Sequence, residues 1–139
     1  MLTGVLYRPA VSKLGLQVGS YYATRTELVA VGLNRMASPF TPGGRPICGV
    51  PEGTFYVWAD FSFLLTKQTR ATTDAELARF FLDQHKTTGT GVAVIPGSAF
   101  SVDPAAMMIR VNCARCEIAE LEAAVAAIGE AVRALLHDA

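Results

Sequence analysis

The stretch MMIRVN, residues 107 to 112, reads as a strand with one residue out of character. Successive side chains of an extended chain point to opposite faces, so Met107, Ile109 and Val111 share one face and Met108, Arg110 and Asn112 share the other. The first face is apolar and should meet the core. Arg110 then looks away from that core, between strongly apolar flanks. It is either a solvated surface residue or a cation aimed at an anion. Guanidinium is the side chain best suited to gripping a carboxylate through two parallel hydrogen bonds.

Upstream lies GVAVIPGSAF, residues 91 to 100. Val92 to Ile95 reads as a short apolar strand that runs into a sharp turn at Pro96-Gly97-Ser98. About eleven residues join it to the strand at 107, too many for a two-residue hairpin. Further upstream, GTFYVWADFS (53 to 62) is rich in aromatic and β-branched residues and is the clearest strand. There Phe55, Val57 and Ala59 point one way and Tyr56, Trp58 and Asp60 the other.

Helices flank these strands. Tyr22 to Met36 places Leu28, Val29, Gly32, Leu33 and Met36 on one face, with Arg25, Glu27 and Asn34 away from it. SPFTPGGRP, residues 38 to 46, breaks that helix with Pro and Gly. Residues 64 to 72 read as a loop. Thr73 and Glu76 have the spacing of a capping box, in which each side chain satisfies an orphan backbone N–H. The helix behind it presents Leu77, Phe80 and Phe81, and Thr87 to Thr90 with Gly89 ends it. From Glu117 to Leu136, Ile118, Leu121, Val125, Ile128, Val132, Leu135 and Leu136 form one apolar stripe with Gly129 on its flank. Residues 1 to 20 show no long period, and Met1 to Tyr7 fits a short strand. The order helix, strand, helix, strand, strand, helix defines an α+β fold: a small, mainly antiparallel sheet with helices packed on one face.

Composition narrows the function. The 139 residues fit one domain, and with 51% hydrophobic and 17% charged residues the chain can bury a real core. Twelve basic and 12 acidic residues cancel and the basic ones do not cluster, which argues against a nucleic-acid or anionic-membrane surface. No apolar run reaches the roughly 18 residues of a membrane span. The N-terminus lacks a signal-peptide pattern and the cysteine count is odd, so reduced thiols in the cytoplasm are expected. Cys113 and Cys116 have CxxC spacing, but Cys48, His85 and His137 are too scattered to complete a zinc site. A redox pair would need a thioredoxin-like βαβ context that does not precede them. A buried Cys113 at a strand end and a Cys116 near a helix start are expected instead.

Several segments together resemble a known family. PEGTFYVWADFS, GVAVIPGSAF and MIRVNCARCEIAELEAAVAAI are similar to the C-terminal small domain of class I/II, fold type I, aspartate-aminotransferase-like pyridoxal-phosphate enzymes. YYATRTELVAVGLNRM resembles the helix that opens that domain. The resemblance covers roughly residues 21 to 137, which leaves 1–20 as a separate N-terminal segment and 21–139 as the small domain.

The resemblance implies roles. Arg110 matches the arginine that binds the α-carboxylate of an amino or keto acid substrate. Pro96, Gly97 and Ser98 match a turn near the active-site entrance. Pro51, Gly53, Phe55 and Tyr56 match the start of the first long strand. The large domain would supply the Schiff-base lysine and the phosphate cup, and it has no room here. VSKLGLQVGS resembles the segment around that lysine, but the Gly-x-Arg-x-Gly pattern is missing, and Lys13 reads as a surface lysine. Pyridoxal phosphate is thus implied for the family, while this chain alone is expected neither to bind it nor to be active. A truncated, split or cut-down relative is the first expectation. The alternative is a non-catalytic carboxylate-binding or protein-interaction module. Either is expected to associate as a homodimer or with a chain carrying the missing large domain.

Overall fold

The first helix, α1, spans Gln17–Ala37 in a computed structural model that describes residues 17–49, 55–84, 91–113 and 117–137. It begins five residues before the apolar pattern does. Leu28, Val29 and Leu33 are buried, with Gly32 and Met36 half-buried beside them. Arg25, expected off the apolar face, is instead buried together with Thr24 and Thr26. Three consecutive residues cover most of a helical turn, so this part of α1 is enclosed on more than one side.

The Pro/Gly segment after α1 forms two short three-ten turns, Ser38–Phe40 and Pro42–Gly44. Asn34 ties the chain beyond them back to the helix. Its side-chain oxygen accepts from the Ile47 and Cys48 N–H groups at 2.7 and 3.0 Å, and its amide donates to the Cys48 carbonyl at 2.7 Å. The Ile47 carbonyl then accepts from the Asp60 N–H at 2.8 Å, which fixes the end of the first strand.

Three strands follow: β1 (Tyr56–Asp60), β2 (Ile95–Pro96) and β3 (Met108–Asn112). They form one antiparallel sheet in the order β1-β3-β2, with Trp58 opposite Arg110 and Ile95 opposite Arg110 on the other side. The alternation expected for β1 and β3 holds. Val57, Ala59, Met107, Ile109 and Val111 are buried, and Tyr56, Trp58, Met108 and Arg110 are half-buried on the opposite face. Phe55, just before β1, is exposed. The strand expected at 92–95 is shorter and later. Val92 is buried but its N–H bonds to the Phe81 carbonyl, so pairing with β3 begins only at Ile95. Pro96 is tolerated because β2 is an edge strand with no neighbour needing its missing N–H.

The second helix, α2, is Asp74–Asp83, and the capping box is present as expected: Thr73 Oγ1 accepts from the Glu76 N–H while Glu76 accepts from Thr73. Leu77 and Phe81 are buried against Phe61 and the core. Part of the expected loop at 64–72 is the end of a three-ten helix, Ser62–Lys67, which buries Phe63 and Leu64. The last helix, α3, is Ile118–His137, with Leu121, Ile128, Val132 and Leu135 buried. It crosses α1 where Gly32 meets Val125 and Gly129 meets Met36. Among the described residues, no helix is long and apolar enough to cross a membrane.

Candidate functional site

Arg110 stands at the centre of β3, the middle strand, on the face turned away from the core. Its guanidinium carbon lies 4.1 Å from the centre of the Tyr56 ring and 4.6 Å from that of Phe100. Tyr56 comes from β1, one alternation along from Trp58. Phe100 comes from the three-ten turn Gly97–Phe100 that follows β2. The rings also hold one another. Phe100 meets Trp58 edge-on at 5.6 Å, and Tyr56 meets Trp58 and Phe55 edge-on at 6.5 and 5.8 Å. Edge-to-face pairs and cation–π contacts each contribute roughly 0.5–1.5 kcal/mol, enough to fix a long side chain in one place.

The rings hold the guanidinium but do not satisfy its N–H groups. Arg110 Nε is buried and, among the described residues, has no hydrogen-bond partner. Leaving a buried donor unpaired costs about 1–3 kcal/mol, more when it is charged. The result is a fixed cation on an otherwise aromatic face.

The turn Pro96-Gly97-Ser98 is built into this site. Gly97 is buried against β3, where a Cβ would sit 2.9 Å from Met108 Cβ and 3.0 Å from the Met108 carbonyl oxygen. Ser98 is tied to α2: its N–H donates to Asp74 Oδ2 at 2.6 Å and its hydroxyl lies 3.0 Å from Asp74 Oδ1. The turn therefore lies beside Arg110 on the sheet. The roles of Asp74 and Phe100 were not expected. Asp74 reads as an ordinary first-turn acidic residue, and nothing in Phe100's local sequence marks it as Arg110's neighbour.

Other sequence candidates fall elsewhere. Cys113 is buried at the end of β3, as expected, and Cys48 is buried too. Burial pushes the Cys48 thiol up to about 11. Among the described residues no group of His, Cys, Asp and Glu could hold a metal. His137 is exposed at the end of α3. Lys13, Pro51, Gly53, His85, Cys116, the Met1–Tyr7 strand and the helix end at Thr87–Thr90 lie outside the described residues. A second arginine-bearing groove, of about 430 Å³, runs along α2. Its cations are engaged: Arg79 pairs with Asp83 at 3.0 Å and Arg70 rests on the Phe80 ring at 4.7 Å.

The chain is 35% identical over 115 residues to an aspartate aminotransferase of Rhizobium meliloti (strain 1021). The match takes in 79% of this chain and 24% of the relative, so the chain spans about a quarter of that protein's length. No protein-family model matches the chain, and no solved structure matches it. The likeness supports an aminotransferase relationship.

Proposed function

We propose that the chain is the small, substrate-carboxylate-binding domain of an aminotransferase relative, and that Arg110 grips the α-carboxylate of an amino or keto acid. The observation that carries this reading is Arg110 itself, held between Tyr56 and Phe100 with a buried Nε that no group among the described residues satisfies. A carboxylate that reaches the guanidinium gains charge-assisted bonds to a cation already fixed in place.

Pyridoxal phosphate supplies the electron sink in transamination. The residues around Arg110 do not fit it. They are a guanidinium, the rings of Tyr56, Trp58 and Phe100, and Ile95, with no amine to form a Schiff base and no cluster of donors for a phosphate. Lys67 is exposed at the end of the Ser62–Lys67 three-ten helix. The cofactor pocket of such an enzyme would come from outside this face, through a further domain or another chain. The reading predicts no pyridoxyl adduct after borohydride reduction of the chain mixed with the cofactor.

Titration with L-aspartate, followed by NMR or calorimetry, tests the carboxylate reading. Wild type should bind, Arg110→Ala should not, and Arg110→Lys should bind more weakly because the two-pronged geometry is lost. Equal affinity in wild type and Arg110→Ala removes the reading.

The same face supports a second reading, an interaction module. Phe100, Phe55 and Ile95 are exposed to 45, 42 and 36%, beside the half-buried Tyr56 and Trp58. Contiguous apolar surface of this kind marks a place where protein meets protein. Self-association, or association with a chain carrying the cofactor pocket, would cover it. Sedimentation equilibrium decides: a strict monomer in which the indole of Trp58 is shielded from quenchers excludes self-association through this face.

A further inference from the structure

Phe100 is nearly half exposed, so burial does not hold it over Arg110. A cation–π contact at an exposed site contributes only about 0.5–1 kcal/mol, too little to order a loop. Something else must place the ring. The three-ten turn that carries it starts at Gly97 and closes on itself, with the Ser101 and Val102 N–H groups donating to the Ser98 and Gly97 carbonyls at 3.2 and 3.3 Å. That turn is rigid and Gly97 seats its start on Met108 of β3, but the residues from Ser98 to Phe100 still need an anchor of their own. Asp74 supplies one.

Asp74 is the first residue of α2 and is fully buried. A buried carboxyl group is costly unless hydrogen bonds satisfy it. Its oxygens do not cap its own helix, since Thr73 and Glu76 already do that. They face Ser98 instead, across 24 residues of sequence, one meeting the backbone N–H and the other the hydroxyl. The positive end of the α2 backbone lies behind the group and favours it there.

We infer that Asp74 is a positioning residue for the Arg110 site: by clamping Ser98 it sets the Phe100 ring on the guanidinium and so controls how strongly Arg110 binds a carboxylate. The consequence for binding rests on the carboxylate reading above. The placement of Phe100 does not. Asp74 never touches the ligand; it acts through two hydrogen bonds and a short rigid turn. Replacing it with Asn keeps the size and still leaves one oxygen for the Ser98 N–H, but the other contact must reverse, with the amide NH2 donating to the Ser98 hydroxyl, and both bonds lose the carboxylate's charge, which loosens the turn.

The experiment is a double-mutant cycle on the full chain with two readouts. One is the ring-current shift of the Arg110 Nε–H resonance, which reports the ring over it. The other is the affinity for L-aspartate. Asp74→Asn should move the resonance toward its value in Phe100→Ala and weaken L-aspartate by about two- to fivefold, the limit set by the Phe100 contact through which it acts. In a Phe100→Ala background, Asp74→Asn should change neither readout further. Ser98→Ala, which removes one of the two bonds, should give an intermediate shift and serves if Asp74→Asn does not fold. An unchanged Arg110 resonance in both Asp74→Asn and Ser98→Ala overturns the clamp. So does an affinity loss of the same size with and without Phe100, which would mean Asp74 acts on stability alone. If the resonance moves but wild type shows no Arg110-dependent binding, the carboxylate reading fails, and with it control of affinity, while the placement of Phe100 by Asp74 stands.

Discussion

Gly97 lies so close to Met108 that a side chain would not fit between them. A Cβ there would be 2.9 Å from Met108 Cβ and 3.0 Å from its carbonyl oxygen, and the second of these is backbone of the central strand and cannot swing aside. The turn after β2 therefore sits flush on β3 and delivers Phe100 to Arg110.

Gly97→Ala is expected to destabilise the chain by about 1–3 kcal/mol, the usual cost of overpacking. The urea midpoint should fall, and Trp58 emission in the native state should change because Phe100 is its edge-on neighbour. Wild-type stability in Gly97→Ala would mean the turn can lift off β3 without cost.

The crossing of α1 and α3 makes a similar demand. A Cβ on Gly32 would lie 2.9 Å from Val125 Cγ1. Alanine there gains about 1 kcal/mol of helix propensity but overpacks the crossing by roughly 1–3 kcal/mol, so the packing loss should win. The loss should shrink in a Val125→Ala background, giving a positive coupling in a double-mutant cycle of unfolding free energies. Additive effects would show that the helices do not meet at this pair.

Glu76 makes the stability of α2 depend on acid. Hydrogen bonds from the Thr72 backbone N–H first, then the Thr72 hydroxyl and Thr73, hold its carboxyl group below its ordinary range. A group whose folded value is lowered adds stability above its unfolded value and loses it as pH falls through the folded one. Wild type should therefore lose stability below about pH 4.5 more steeply than Glu76→Gln, as read from urea midpoints across that range. Parallel acid limbs would show that the capping box does not persist in solution.

Much of the fold was legible because its signals are local. The capping box at Thr73 and Glu76, the apolar stripe of α3 and the alternation in β1 and β3 each need only neighbouring residues, and each lies where expected. Val92 to Ile95 misled because an apolar run fits buried coil as well as strand; Val92 is buried by α2, and only Ile95 and Pro96 pair with β3. Arg25 misled because its burial leaves no mark in the apolar period of its own helix. At the site, Arg110 stood out as a cation in an apolar strand. Its partners did not, since Phe100 reaches it through a turn and Asp74 reaches that turn from another helix. Contacts of that span leave no periodic trace.

If Arg110 binds a carboxylate, its own side-chain resonance must respond to one. Titrating the ¹⁵N-labelled chain with L-aspartate should shift the Arg110 Nε–H downfield and slow its exchange with water, because an orphan donor gains a charged acceptor. L-Aspartate should have no such effect on the exposed, carboxylate-paired Arg79. An Arg110 resonance that stays fixed up to saturating ligand would contradict the account.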